Sequence, residues 1–136
     1  MTRKEAREQA FILIFENEFN SEYTLDEMIE TARESELFDT DDFAREITEK
    51  TLAQREKIDE IVSDKLRKGW TLKRISKVSL ALLRLAVCEM LEFSDIPASV
   101  SISEAVELAK KYAPEEDYIF INGLLSAVNR DMTADA

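Results

Sequence analysis

The first fifteen residues set Arg3, Lys4 and Arg7 at the head of a line that continues into Phe11 and Phe15. On a helix, Arg3 to Phe15 spans about 18 Å. Cations at that spacing can hold a phosphate backbone while an aromatic ring stacks on an unpaired base. The ordinary alternative is that Phe11 and Phe15 are core and the cations are solvated. A second cluster holds Lys65, Arg67, Lys68, Lys73, Arg74 and Lys77, with no acid among residues 65–77 and with Trp70 inside it. Its alternative is a solubilising connector beside a packed tryptophan.

Other chemistry is thinly represented. Histidine is absent, which removes histidine-based triads, histidine general bases and most zinc sites. Cys88 is the single cysteine, so no intrachain disulfide forms, and nothing activates it. It reads as a buried thiol in a reducing compartment, and the chain as cytoplasmic. Glu104 and Glu107 sit three apart, but without a second Glu-x-x-His helix they do not make a di-metal site. Both glycines are isolated, so no phosphate-cradling loop is present. No enzyme activity, cofactor or metal is expected.

The elements that position these residues read as helices throughout. Two glycines and two prolines in 136 residues are too few for the turns of a sandwich or barrel. Residues 3–19 place Ala6, Ala10, Leu13 and Ile14 on one stripe. Thr24 and Glu27 form a capping box for the next helix. A third segment starts at residues 39–41 and runs to Lys68, with a kink expected at 54–57, where apolar positions thin out. Gly69 is its stop signal. Residues 78–93 are apolar nearly all round, as in a helix at the centre of a bundle. Ser101 and Glu104 read as a second capping box, and Pro114 as the start of the last helix. Gly123 is expected to permit close approach of a neighbouring helix, with Asn122 beside it either buried or functional. No stretch approaches the roughly 20 apolar residues of a membrane span, so no membrane partner is expected.

Charge is unevenly placed. Residues 16–49 hold thirteen acids against two bases, the whole of the net charge of −11. A polyanion responds to local patches within about 8–10 Å, not to the net charge. Nucleic acid is therefore not excluded, and it should meet the first helix while avoiding the acidic second one.

Several runs resemble the NusB family of transcription antitermination factors. Arg3-Lys-Glu-Ala-Arg-Glu8 is similar to its basic N-terminal motif, and Leu83-Arg-Leu-Ala86 with Glu89 to its central helix. Ile96-Pro97, Val100, Ile102 and the run 104–110 resemble its Pro-x-x-Val-x-Ile-x-Glu-Ala-x-x-Leu-Ala-Lys pattern. Phe120-Ile-Asn-Gly-Leu-Leu125 is similar to its Phe-Val-Asn-Gly-Val-Leu run. The four runs are collinear over residues 3–128.

The resemblance implies an all-α bundle of about seven helices in two packed halves, about 3–68 and 70–130, within one domain. It implies a non-enzymatic factor binding a single-stranded boxA-like element of ribosomal RNA leaders. The implied partners are the small-subunit ribosomal protein NusE and the RNA polymerase antitermination complex. Arg3, Lys4 and Arg7 take the phosphate-contacting positions, and Phe15 and Phe120 the base-contacting ones. Lys77, Ser79 and Leu80 begin the central helix, on the face where the protein partner docks. Phe15 stands where a tyrosine is usual, Glu5 lies within the basic motif, and Ser79 and Leu80 replace polar or charged residues. These departures, with the acidic block, keep open an alternative: a protein-interaction module, or a homodimer, with weak or lost RNA binding.

Overall fold

The computed structural model of the protein describes residues 2–134. Among them are seven α-helices and no strand. They are α1 (Arg3–Phe19), α2 (Leu25–Glu34), α3 (Asp42–Ala53), α4 (Arg55–Asp64), α5 (Lys77–Glu92), α6 (Ala98–Tyr112) and α7 (Asp117–Ala134). A single 3-10 turn, Leu72–Arg74, lies between α4 and α5.

Local chemistry accounts for most helix starts. Thr2 Oγ1 accepts from the Glu5 amide at the head of α1, and Ser76 Oγ accepts from the Ser79 amide at the head of α5. The expected box at α2 is complete: Thr24 Oγ1 accepts from the Glu27 amide, and Glu27 accepts from the Thr24 amide. Each satisfies an amide that the helix leaves without a partner. The kink expected at 54–57 is a break at Gln54, which ends α3 and begins α4.

Four boundary or packing expectations are corrected. The fourth helix stops at Asp64 rather than running to Lys68, and turns at 65–66 carry the chain onward. Gly69 does take a left-handed φ of +89°, but in the connection beyond the helix. The helix after Pro97 begins at Ala98, so Ser101 lies within it, buried, and is not a cap. The last helix begins at Asp117, because Glu116, at φ +69°, interrupts any helix from Pro114. Gly123 is exposed, and a Cβ built on it meets nothing within 4 Å. Asn122 is exposed too.

Helix α5 is the axis of the core. Every residue from 79 to 89 is buried. Helices α1, α3, α4, α6 and α7 all pack on it. Being covered all round is why its sequence shows no polar stripe.

Candidate nucleic-acid interface

Arg3 and Lys4 stand exposed in the first turn of α1. The Arg3 guanidinium lies 3.9 Å from the Phe43 ring centroid. Lys4 Nζ is 3.9 Å from Glu104 Oε2, and its side chain is 65% exposed. Both remain open to an anion.

Arg7 is different, and its placement corrects the expectation that it faces phosphate. It is 5% exposed. Its Nε lies 3.0 Å from both carboxylate oxygens of Glu89, and its Nη2 lies 2.6 Å from Oε1. The cause is the width of the buried face of α1. Both α3 and α5 pack on this helix, so Ala6, Arg7, Gln9, Ala10 and Phe11 all turn inward. A buried guanidinium requires a partner, and Glu89, in the most apolar helix of the chain, supplies it.

The aromatic line extends further than the sequence reading took it. Phe11 is buried, and Phe15 is half-buried against the core. Phe15 lies 6.0 Å from Phe11 and 5.1 Å from Phe19 between ring centroids. Phe19, 59% exposed, is the ring that solvent reaches. The spacing of four that links Phe11 to Phe15 continues to Phe19, so the signal was present. Tyr112 was missed for another reason: it comes from α6 and meets Phe11 only in the folded chain, at 5.1 Å. Phe120, at the start of α7, is 36% exposed.

Carboxylates occupy the same surface. Lys111 Nζ and the Tyr112 hydroxyl each donate to Glu8 Oε2 at 2.6 Å. The Lys111 and Tyr112 hydrogen bonds hold the Glu8 carboxyl below its ordinary range. The strongly acidic α2 is largely exposed, with only Met28 and Ala32 buried, and Arg33 and Arg45 pair with Glu30 and Asp26.

The positions expected to meet a protein partner divide. Lys77 is exposed and lies 3.2 Å from Glu18 Oε1. Ser79 and Leu80 are buried within the chain, which corrects their expected place on a docking face. Ser79 Oγ donates to Asp117 Oδ2 at 2.8 Å, tying α5 to α7. Leu80 is covered because α5 is packed from its first turn. Elsewhere, Cys88 is buried, and burial pushes its thiol up to about 11. Among the described residues no three His, Cys, Asp or Glu side chains converge as metal ligands. No helix there is long and apolar enough to cross a membrane.

A family model described as the NusB family matches residues 4–130. The chain belongs to the NusB family. It is 41% identical over 128 residues to the transcription antitermination protein NusB of Oceanobacillus iheyensis, covering 94% of this chain and 98% of that one. It is 33% identical over 145 residues to the namesake from Enterococcus faecalis, covering 100% and 94%. In three dimensions it resembles T. maritima NusB, with a TM-score of 0.83 and 32% identity over 96% of this chain and 92% of that one. It also resembles a chain in the crystal structure of antitermination factors NusB and NusE in complex with dsRNA. There the TM-score is 0.82 and the identity 26%, over 95% and 96% of the two chains. The all-α NusB-like bundle read from the sequence is therefore the observed fold.

Proposed function

We propose that this protein is a non-enzymatic transcription antitermination factor of the NusB type. It binds a single-stranded, boxA-like element of ribosomal RNA leaders together with the ribosomal protein NusE, in the cytoplasm, as part of an RNA polymerase antitermination complex. Arg3 and Lys4 neutralise phosphates, and Phe120 stacks on a base. Phe15 supports the aromatic line from within, and Arg7 fixes α1 against α5 so that the two cations are presented at a defined angle. Lys77 is the exposed member of the set expected to meet the protein partner. The observation that carries this reading is the near full-length likeness to a chain in the crystal structure of antitermination factors NusB and NusE in complex with dsRNA.

A filter-binding titration tests it. A boxA-like RNA should bind more tightly than its scrambled counterpart, and NusE should increase the difference by adding linked contacts. Equal binding of the two RNAs in the presence of NusE overturns the reading.

A second reading, a protein-interaction module with weak or lost RNA binding, has one observation in its favour. Arg7 is spent on Glu89, Lys111 on Glu8, and Lys4 faces Glu104. A pull-down that recovers NusE but no RNA would favour it.

A further inference from the structure

The connection between α4 and α5 carries charge that the α1 surface leaves unused. Its apolar residues turn inward: Ile75 is buried, and Leu66 and Leu72 pack against the core. That anchoring leaves Arg67, Lys68, Lys73 and Arg74 exposed together with Trp70, which is 42% exposed. The Arg74 guanidinium lies 5.5 Å from the Trp70 ring centroid.

The flanking cations are neutralised. Lys65 pairs with Asp64 and Asp131, and Lys77 with Glu18. Among the described residues, no carboxylate oxygen lies within 4.0 Å of the other four. In a chain with 29 acids and 18 bases, internal partners for cations are plentiful. Four that remain unpaired in the same connection as an exposed indole, one of them beside its ring, are free to take an external polyanion.

We propose that this connection is a second nucleic-acid contact surface. Its cations take phosphates of a single-stranded RNA, and Trp70 stacks on one unpaired base. A phosphate backbone with splayed bases uses both the cations and the ring face. An acidic peptide uses the cations alone. The inference rests on reading the chain as an RNA binder but not on the same residues. Lys77, at the end of the connection, is held by Glu18, which lies about 22 Å along α1 from Arg3.

Trp70 is the only tryptophan of the chain, so its emission reports on this surface alone. The full-length chain is titrated with a labelled single-stranded oligouridylate. RNA anisotropy records binding anywhere, and indole emission records the connection. Binding should quench Trp70. The double variant Lys68→Gln, Lys73→Gln should lower the slope of log affinity against log salt by about 1.4, at about 0.7 per phosphate of a single strand. Both side chains are exposed, so the variant folds.

Anisotropy that rises while Trp70 emission stays constant, or a salt slope unchanged in the double variant, overturns the proposal and leaves the α1 reading standing. Binding that depends on Lys68 and Lys73 but not on Arg3 and Lys4 supports the proposal and overturns the α1 assignment. Self-association of the free chain that the double variant abolishes overturns it in favour of contact with the acidic helix of a second copy.

Discussion

The guanidinium of Arg7 and the carboxylate of Glu89 meet across 82 residues of sequence, Nη2 to Oε1 at 2.6 Å, with side chains 7% and 1% exposed. The pair joins the first helix to the central one. Removing either partner leaves a buried charge alone, which costs about 3–5 kcal/mol. Arg7→Ala and Glu89→Gln should each lower the urea midpoint sharply. The double variant Arg7→Met, Glu89→Leu should recover much of the loss, because an apolar pair carries no desolvation cost. Single-variant losses that simply add in the double variant would remove the coupling.

Glu18 makes the opposite end of α1 sensitive to acid. It accepts from Arg84 and Arg55 at 2.9 Å each and from Lys77 at 3.2 Å. Burial opposes its ionisation, but the hydrogen bonds and charges of Arg84, Lys77 and Arg55 outweigh burial and hold the carboxyl below 4.5. A carboxyl lowered on folding stabilises the chain above its unfolded value and loses that contribution as pH falls through the folded one. Glu18→Gln should cost about 1–3 kcal/mol at neutral pH. It should also flatten the fall in stability below about pH 4.5. Parallel acid limbs for variant and parent would exclude Glu18 as the acid-labile contact.

The helices were legible because their signals are local. The Thr24–Glu27 box and the all-round apolar run of α5 need no tertiary information. Position 7 was not legible in the same way. An arginine next to Arg3 and Lys4 looks like part of their patch until Glu89 arrives from a distant helix. Ser79 and Leu80 failed for the same reason, since only the covering of the first turn of α5 hides them. The box at Ser101 failed locally: Pro97 offers an earlier start, and four more residues of helix outweigh one side-chain cap.

That early start leaves a trace. Ser101 is 2% exposed, and its hydroxyl has no hydrogen-bond partner. A buried hydroxyl without a partner costs about 1–3 kcal/mol. Ser101→Ala should therefore raise stability by about 1 kcal/mol, which in a chain of this size is about 3 °C in Tm. A lower melting temperature would show that the hydroxyl is satisfied in solution.

Cys88 sets an alkaline limit. Burial raises its thiol from 9.0 to about 11. Between those values the unfolded chain has lost a proton that the folded chain keeps, so stability falls as pH rises, by about 2–3 kcal/mol in all. Cys88→Ala should fall less steeply over that range. At neutral pH a thiol reagent should modify Cys88 no faster than the chain unfolds. Modification of the folded chain would contradict its burial.

The proposed RNA surface makes separate demands on charge and on stacking. Arg3→Ala and Lys4→Ala should each lower the salt slope of binding to a boxA-like RNA by about 0.7, the share of one phosphate on a single strand. Phe120→Ala should weaken binding by about 1–3 kcal/mol with the slope unchanged, because a stacked base releases no counterion. Arg7 decides between the two accounts of α1. If its guanidinium stays with Glu89, Arg7→Gln should leave the salt slope as it is, and any loss of affinity should follow the loss of folded protein. Titrations at several salt concentrations, below the melting temperature of the variant, separate these outcomes. A slope that drops by about 0.7 in Arg7→Gln would mean that Arg7 leaves Glu89 when RNA binds. Glu89 would then be an intramolecular competitor for the phosphate, and Glu89→Gln should tighten RNA binding.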